Sequence, residues 1–551
     1  MPKYTIGIDY GTLSVRALVV DVADGHELGT AVYEYPHAVM SESLPNGRKL
    51  PPDWALQHPQ DYLDGLSFTI QQAMKDAGVS KEDVIGLGID FTSNTFLPVD
   101  QNGFPLCLKP EWEDDPHTWV KLWKHHATQK YAEDMEKLAL ERGETFVKRY
   151  GGKVSPAWMF PRLLEVLKED PKLYNAAYTF IEAGDWMVLQ LTGADKRSSS
   201  IAGYKAFWSK KDGYPPEEYL KALDERFAHV VDEKLAREVF PVGTKAGEIN
   251  AHGAELTGLK EGTAVAVANI DAHVSMPAVG ITDSGSMLMI LGTSTCEIML
   301  GKDEHEVPGI GGIVEDGVIP GTIGYEGGQN AVGDSLQWFV ENCLPGEYER
   351  KAKEKGISTQ QYLTELAEKL RPGENGLMAL DWLNGNRTIL CDYDLSGAIF
   401  GLTLSTKPEE IYRVLIESTA YGARRIMDAF EENSLPVDRV FACGGISKKN
   451  PMFMQIYADV LNRDIRIARS SQTPALGSAI FGAVAAGSAC GGYDDVASAA
   501  SHMGGTSDVE YHPIPENVAA YQALYEEFLT LHDYFGCGEN NILKKLRKSR
   551  G

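Results

Sequence analysis

Near the start of the chain Ile6 and Ile8 alternate with small residues as far as an acid, Asp9. Gly11, Thr12 and Ser14 follow, and alternation resumes through Val15, Ala17 and Val19 to a second acid, Asp21. A period of two interrupted by a glycine predicts a β-hairpin with a hydroxyl-rich turn. The stretch SMLMILGTSTCEIML at 286–300 repeats this pattern of strand, Gly-Thr-Ser-Thr turn and strand. Two such hairpins predict a duplicated core.

Other segments fill in an α/β chain. Residues 27–35 offer a third strand, and the polar, proline-bearing residues 36–57 read as a loop. Pro59 opens a helix to Gly78, with Tyr62, Leu66, Ile70 and Met74 at i+4 spacing. Residues 84–90 and 263–271 are strands that each end in an acid. Residues 111–142 read as a polar helical stretch, and 324–330 as a glycine-rich loop. A helix starts at Gly333, and another at 409–432 places Ile411, Leu415, Gly422, Ile426 and Phe430 on one face. Strand 437–443 leads to Gly444-Gly445, and 474–487 is a helix of small residues able to pack closely on a sheet. The basic residues at 544–550 read as a solvated tail. At 551 residues at least two domains are expected, divided as 1–280 and 281–551.

Charge narrows the partners. Lys+Arg 52 against Asp+Glu 78 gives −26, which disfavours nucleic acid and anionic membrane but leaves room for a small anion bound with a metal. Seven cysteines without metal-ligand spacing point to a reducing compartment. No apolar run is long enough to span a membrane, no signal peptide is evident, and a cytoplasmic location is expected. Oligomeric state is left open, a homodimer among the options.

The glycine turn at Gly11 lets backbone N–H groups approach an anion, and Thr12, Ser14 and Arg16 add donors and charge. Asp9 would repel a bare phosphate, so its presence points to Mg²⁺ between them. An ordinary hairpin with a polar turn is the alternative, and the second copy tips the balance. Gly444-Gly445 suits a nucleotide face or a plain strand-to-helix turn. Lys205 among Tyr204, Phe207 and Trp208 suits a sugar hydroxyl, or is a lysine laid over aromatics at the surface. Glu326, Ser93 and Asn94 are further polar candidates. His125 and His126 show no ligand spacing and read as solvated.

Four motifs in order, GIDYGTLSVRALVVD, ANIDAH, MILGTSTCEIM and FACGGISKKNP with ALGSAIFGA, resemble the FGGY carbohydrate kinase family. The resemblance implies two actin/Hsp70/sugar-kinase-type (ribonuclease H-like) domains with a nucleotide cleft between them. It implies ATP and Mg²⁺ as cofactors, Asp271 as the general base, and Asp9 with Asp271 on the metal side. It implies nucleotide contacts at Gly11, Thr12, Ser14, Arg16, Gly292, Thr293, Gly333, Gln337, Gly444, Gly445 and Asn450. On the sugar side it implies Ser93, Asn94, Lys205, Asp271 and Glu326. The segments KPEWEDDPHTWVKLWKHHA, GYKAFW and GYEGGQNAVGDSLQWF are most similar to members that phosphorylate ribulose in arabinose catabolism. Xylulose and other polyol kinases are the rivals within the family. An actin-like or Hsp70-like ATP-driven protein is the rival outside it. Gln472-Thr473-Pro474 stands where many relatives carry Glu, a departure confined to the adenosine pocket.

Overall fold

The structure, a computed structural model, describes residues 2–236 and 238–549. Strand Tyr4–Tyr10 pairs antiparallel with Ser14–Asp21, which sets Ile6 opposite Val19 and Asp9 opposite Arg16. Glu27–Glu34 extends the sheet antiparallel. On the other side of Tyr4–Tyr10, strands Val84–Phe91 and Ala264–Ala266 run parallel, and Lys245–Glu248 closes the edge antiparallel. The second sheet repeats this plan. Hairpin Ser286–Leu291 and Thr295–Gly301 is extended antiparallel by Ile323–Gln329. It is flanked on the other side by parallel Arg439–Cys443 and Ile465–Ala468 and antiparallel Thr506–Tyr511. Apart from one added edge strand, Gly312–Glu315, order and sense match throughout, so the duplication covers whole sheets.

Equivalent helices make the crossovers. Pro59–Ala77 starts with proline in its first turn and ends at Gly78 in the left-handed region (φ 65°). Pro408–Glu432 holds the corresponding place in the second unit and buries Leu415, Ile416, Ile426 and Phe430. The small-residue helix, Thr473–Ala486, returns to the first sheet rather than the second. A Cβ on Gly88 would stand 1.9 Å from the Ser478 carbonyl oxygen, so glycine in the strand is what lets the helix backbone approach. Leu476, Ala479, Ile480 and Phe481 thereby join the core under the first sheet, although they lie in the chain's second half.

A smaller sheet of Leu56–Gln57, Val120–Lys121, Phe96–Val99 and Thr179–Glu182 projects beside the first unit. It shares a separate apolar core with helices Gln129–Arg142 and Met159–Glu169.

Several local expectations change. Residues 111–128 are turns, the short 3-10 helix Pro116–Thr118 and the strand Val120–Lys121, and only Gln129–Arg142 of the expected helical stretch is α-helix. The expected strand 263–271 is split into Ala264–Ala266 and Asn269–Ile270, because the Val267 N–H turns to the Thr244 carbonyl. The expected loop 324–330 is instead the wholly buried strand Ile323–Gln329. Its glycines serve close packing: a Cβ on Gly328 would meet Arg387 Nη1 at 2.7 Å. His125 is fully buried, its Nε2 3.4 Å from Lys121 Nζ and 3.6 Å from Glu165. The basic tail forms helix Ile542–Lys548, which docks through buried Leu543 and through Lys544–Asp392 and Lys548–Asp394 pairs, whereas Arg550 lies outside the described residues.

Candidate active site

Three acids meet at the carboxyl ends of adjacent strands of the first sheet. Asp9 and Asp90 are register partners on parallel strands. Asn269–Ile270 pairs with Asp90 and Phe91, and Asp271 follows as the first residue of helix Asp271–Ala278. Its Oδ1 accepts the Ala272 N–H at 2.7 Å, which leaves Oδ2 for another partner. Asp9 and Asp271 are half-buried, and Asp90 is fully buried. Burial, with the charge of Asp9 added, pushes the Asp271 carboxyl up to about 7 against the pull of Lys205. Burial likewise raises Asp9, which Arg16 opposes, and raises Asp90 far more. Asp90 Oδ2 accepts the Ser478 hydroxyl at 2.6 Å, while Oδ1 has no partner. Crowded carboxylates with one oxygen unpaired fit a hard divalent cation such as Mg²⁺, whose charge would relieve their mutual repulsion.

Each hairpin presents its turn. The Gly11 N–H bonds the Ser14 carbonyl, and the Gly292 N–H bonds the Ser294 carbonyl, so the two turns close alike. Thr12 is braced from the smaller sheet: Trp123 Nε1 donates to its Oγ1 at 3.0 Å and Gln57 Nε2 to its carbonyl at 2.7 Å. Thr293 is exposed, and its carbonyl accepts the Val332 and Asp334 N–H groups, which anchors helix Gly333–Asn342 on the turn. Gly333 bonds Gly292, and a Cβ on Gly444 (φ 92°) would stand 2.3 Å from the Leu291 carbonyl. Second turn, helix start and Gly444-Gly445 therefore form one group. Gly445 is exposed and has no atom within 4 Å of its would-be Cβ, which leaves an open face. Two expected nucleotide residues are already engaged: Gln337 bonds Glu341 at 2.7 Å, and Asn450 caps helix Pro451–Leu461 through the Phe453 N–H.

On the sugar side, Lys205 ends helix Ser199–Lys205 and reaches both oxygens of Glu326. His273, two residues beyond Asp271, puts Nε2 3.0 Å from Glu326 Oε2 and Nδ1 3.0 Å from the Ser200 hydroxyl. Arg387 Nη2 binds Glu326 Oε1. Burial alone would raise the Glu326 carboxyl; Lys205, Arg387 and His273 together hold it well below its usual range. The 93–94 turn continues strand Val84–Phe91, with Asn94 in the left-handed region (φ 59°). Fully buried Arg162 fixes that turn by donating to the Asn94 carbonyl at 2.6 Å and to the Lys121, Leu122 and His125 carbonyls.

Asp90, His273, Arg162 and Arg387 are additions to the expected set. Asp90 had a visible signal, an acid ending a strand as Asp9 and Asp271 do. Arg162 had one too, a charge between the apolar residues of a helix. Arg387 had none, because its segment shows no periodicity.

Family models describing the N-terminal and C-terminal domains of the FGGY family of carbohydrate kinases match residues 4–277 and 287–486. A ribulokinase of Anoxybacillus flavithermus is 51% identical over 546 residues, 99% of this chain and 97% of the relative. A ribulokinase of Staphylococcus aureus is 38% identical over 548 residues, 100% of this chain and 99% of the relative. Among solved structures, gluconate kinase from Lactobacillus acidophilus aligns with a TM-score of 0.80 at 17% identity, covering 98% and 99% of the two chains. Xylulose kinase from Rhodospirillum rubrum gives 0.76 at 22% identity, covering 96% and 98%. The duplicated sheets, each with its glycine turn, and the acid cluster are thus those of a chain that belongs to the FGGY family of carbohydrate kinases.

Proposed function

We propose that this protein transfers the γ-phosphoryl group of ATP to O5 of ribulose, in the L form. The observation that carries the reading is the position of Asp271, close enough to Asp9, which precedes the Gly11 turn, and to Lys205 and Glu326 for their charges to act on its carboxyl. Asp271 Oδ2 accepts the O5 proton as the oxygen attacks phosphorus. Thr12 and Thr293 hold phosphate oxygens from opposite sides, with Gly11, Ser14, Arg16 and Gly292 supplying further donors, and the purine lies on the open face at Gly445. Asp9 and Asp271 would hold Mg²⁺, and the ion would supply positive charge to the phosphate oxygens. Lys205, Glu326, Ser93 and Asn94 position the sugar.

Ribulose is preferred over xylulose and glycerol because the curated relatives named ribulokinase align over nearly the whole chain, and because the polar lining would lose partners around a shorter polyol. No described helix is long and apolar enough to cross a membrane. A cytoplasmic location is part of the proposal, supported by seven free cysteines. The test is ADP release with a panel of ribulose, xylulose, glycerol and an aldohexose. The highest kcat/KM with ribulose supports the reading. A best rate with glycerol or the aldohexose overturns ribulose but not the kinase. ATP consumption that is independent of any sugar overturns both.

A further inference from the structure

Behind the second hairpin, on the face of the sheet turned away from Glu326, lies a buried cluster of oxygens. Strand register sets Thr295 opposite Gln329 and Glu297 opposite Gly327, so their side chains share one face. Cys296 and Glu326 take the other face, where Arg387 touches both. The opposite walls are helix Pro408–Glu432 at Gly422, Tyr457 on helix Pro451–Leu461, and Asp381 just after strand Met378–Leu380.

Two of the oxygens meet at Gly422. A Cβ on Gly422 would stand 2.6 Å from Gln329 Oε1 and 3.0 Å from Asp381 Oδ2, so the helix lacks a side chain where these two atoms meet. Gln329 Nε2 donates to Glu297 Oε1 at 3.2 Å, which aims the amide oxygen away from Glu297. Thr295 Oγ1, Glu297 Oε2, Gln329 Oε1, Asp381 Oδ1 and the Tyr457 hydroxyl have no hydrogen-bond partner. All five residues are more than nine-tenths buried. Burial pushes both Glu297 and Asp381 up to about 7, and the charge of Asp381 adds to the effect on Glu297. Orphaned buried oxygens in this number carry a large desolvation cost unless something fills the space between them.

We propose that this cluster is a structural site for one hard divalent cation of the Ca²⁺ or Mg²⁺ class, held by Glu297, Asp381 and the Gln329 amide oxygen. Thr295 and Tyr457 complete an all-oxygen shell. Oxygen donors without nitrogen or sulfur select such an ion over zinc or copper. Two carboxylates balance a charge of two, which selects it over K⁺ or Na⁺. The ion is separate from any held by Asp9, which belongs to the first sheet. It ties the strand after the Gly292 turn to the strand bearing Glu326, and both to Asp381, six residues before Arg387.

The test uses the full chain carrying Asp9→Asn and Asp271→Asn, free of nucleotide and treated with chelator, so that the cleft carboxylates proposed to hold Mg²⁺ do not contribute. Ca²⁺, Mg²⁺ and K⁺ are titrated by calorimetry and thermal unfolding. One divalent ion per chain is expected, with a midpoint rise of roughly 3–6 °C at a hundredfold excess over Kd. Glu297→Gln and Asp381→Asn should each abolish the response. No divalent binding, a response to K⁺ alone, or retention of binding in both variants overturns the proposal. If neither variant folds, native mass spectrometry of the Asp9→Asn, Asp271→Asn chain decides: one rebound divalent ion supports the site, and none refutes it.

Discussion

Lys205 Nζ lies 3.2 Å from both carboxylate oxygens of Glu326, a residue 121 positions further along the chain. The pair joins a helix of the first unit to a strand of the second, and both residues are buried. Lys205→Met leaves Glu326 its contacts with His273 and Arg387, so the variant should fold. Its KM for ribulose should rise about 10- to 100-fold while that for ATP changes less than about twofold. Glu326→Gln leaves two buried cations facing a neutral amide and should cost more stability, about 3–5 kcal/mol. Initial-rate kinetics and denaturant unfolding check both, and equal effects of Lys205→Met on the two KM values would remove Lys205 from the sugar side.

Asp271 should set the acid limb of turnover. Its carboxyl is raised to about 7, so it is protonated, and unable to accept the sugar proton, as pH falls through that value. The charge of Asp9 contributes to the rise, and a cation beside Asp9 cancels that contribution. The limb should therefore sit near pH 7 when Mg²⁺ is limiting and move to lower pH when it saturates, with burial still holding it above the ordinary carboxylate value. Asp271→Asn should lower kcat by about 10²- to 10⁴-fold while sugar still binds. A limb fixed near pH 4 at both metal levels would contradict this account.

The parts legible in the sequence were those written in local pattern. Alternation around Gly11 and Gly292 revealed both hairpins, and the acids ending strands marked Asp9 and Asp271, a signal that Asp90 shares although it was outside the expected set. Strand 323–329 read as a loop because Gly324, Gly327 and Gly328 are turn formers in isolation. In the fold their missing side chains admit Tyr204, Ile426 and Arg387. The return of helix Thr473–Ala486 to the first sheet was hidden for the same reason: tertiary packing decides it. His125 looked solvated because its partners, Lys121 and Glu165, are spread over 44 residues of intervening chain.

Two glycines should behave oppositely. A Cβ on Gly477 would stand 1.8 Å from the carbonyl oxygen of Val274, three residues past Asp271, so Gly477→Ala must force apart the two helices that carry them. It should cost more than about 3 kcal/mol and lower kcat together with stability. Gly445 has open space at its Cβ, so Gly445→Ala should leave stability within about 0.5 kcal/mol and raise KM for ATP several-fold. Unfolding midpoints and nucleotide titrations separate the two outcomes. An unchanged ATP affinity in Gly445→Ala would move the purine elsewhere.

The C-terminal helix should act on the sugar site through Arg387. Lys544 and Lys548 pair with Asp392 and Asp394, Arg547 donates to the Leu395 carbonyl at 2.7 Å, and the Leu543 carbonyl accepts the Ser396 hydroxyl at 3.1 Å. These contacts grip a loop whose other end is closed by reciprocal Asn386–Asp392 backbone bonds, and Arg387 follows Asn386 directly. Exposed ion pairs contribute about 0–1 kcal/mol each, and burial of Leu543 adds about 1.5–3 kcal/mol, enough to bias the loop without deciding the fold. Truncation after Asn541 should therefore raise KM for ribulose about 3- to 10-fold, leave KM for ATP nearly unchanged and lower the unfolding midpoint by a few degrees. Arg387→Ala should reproduce and exceed the sugar effect, and adding the truncation to it should change little further. If the truncated chain binds ribulose as the full chain does, the helix is merely docked and Arg387 is held by Glu326 alone.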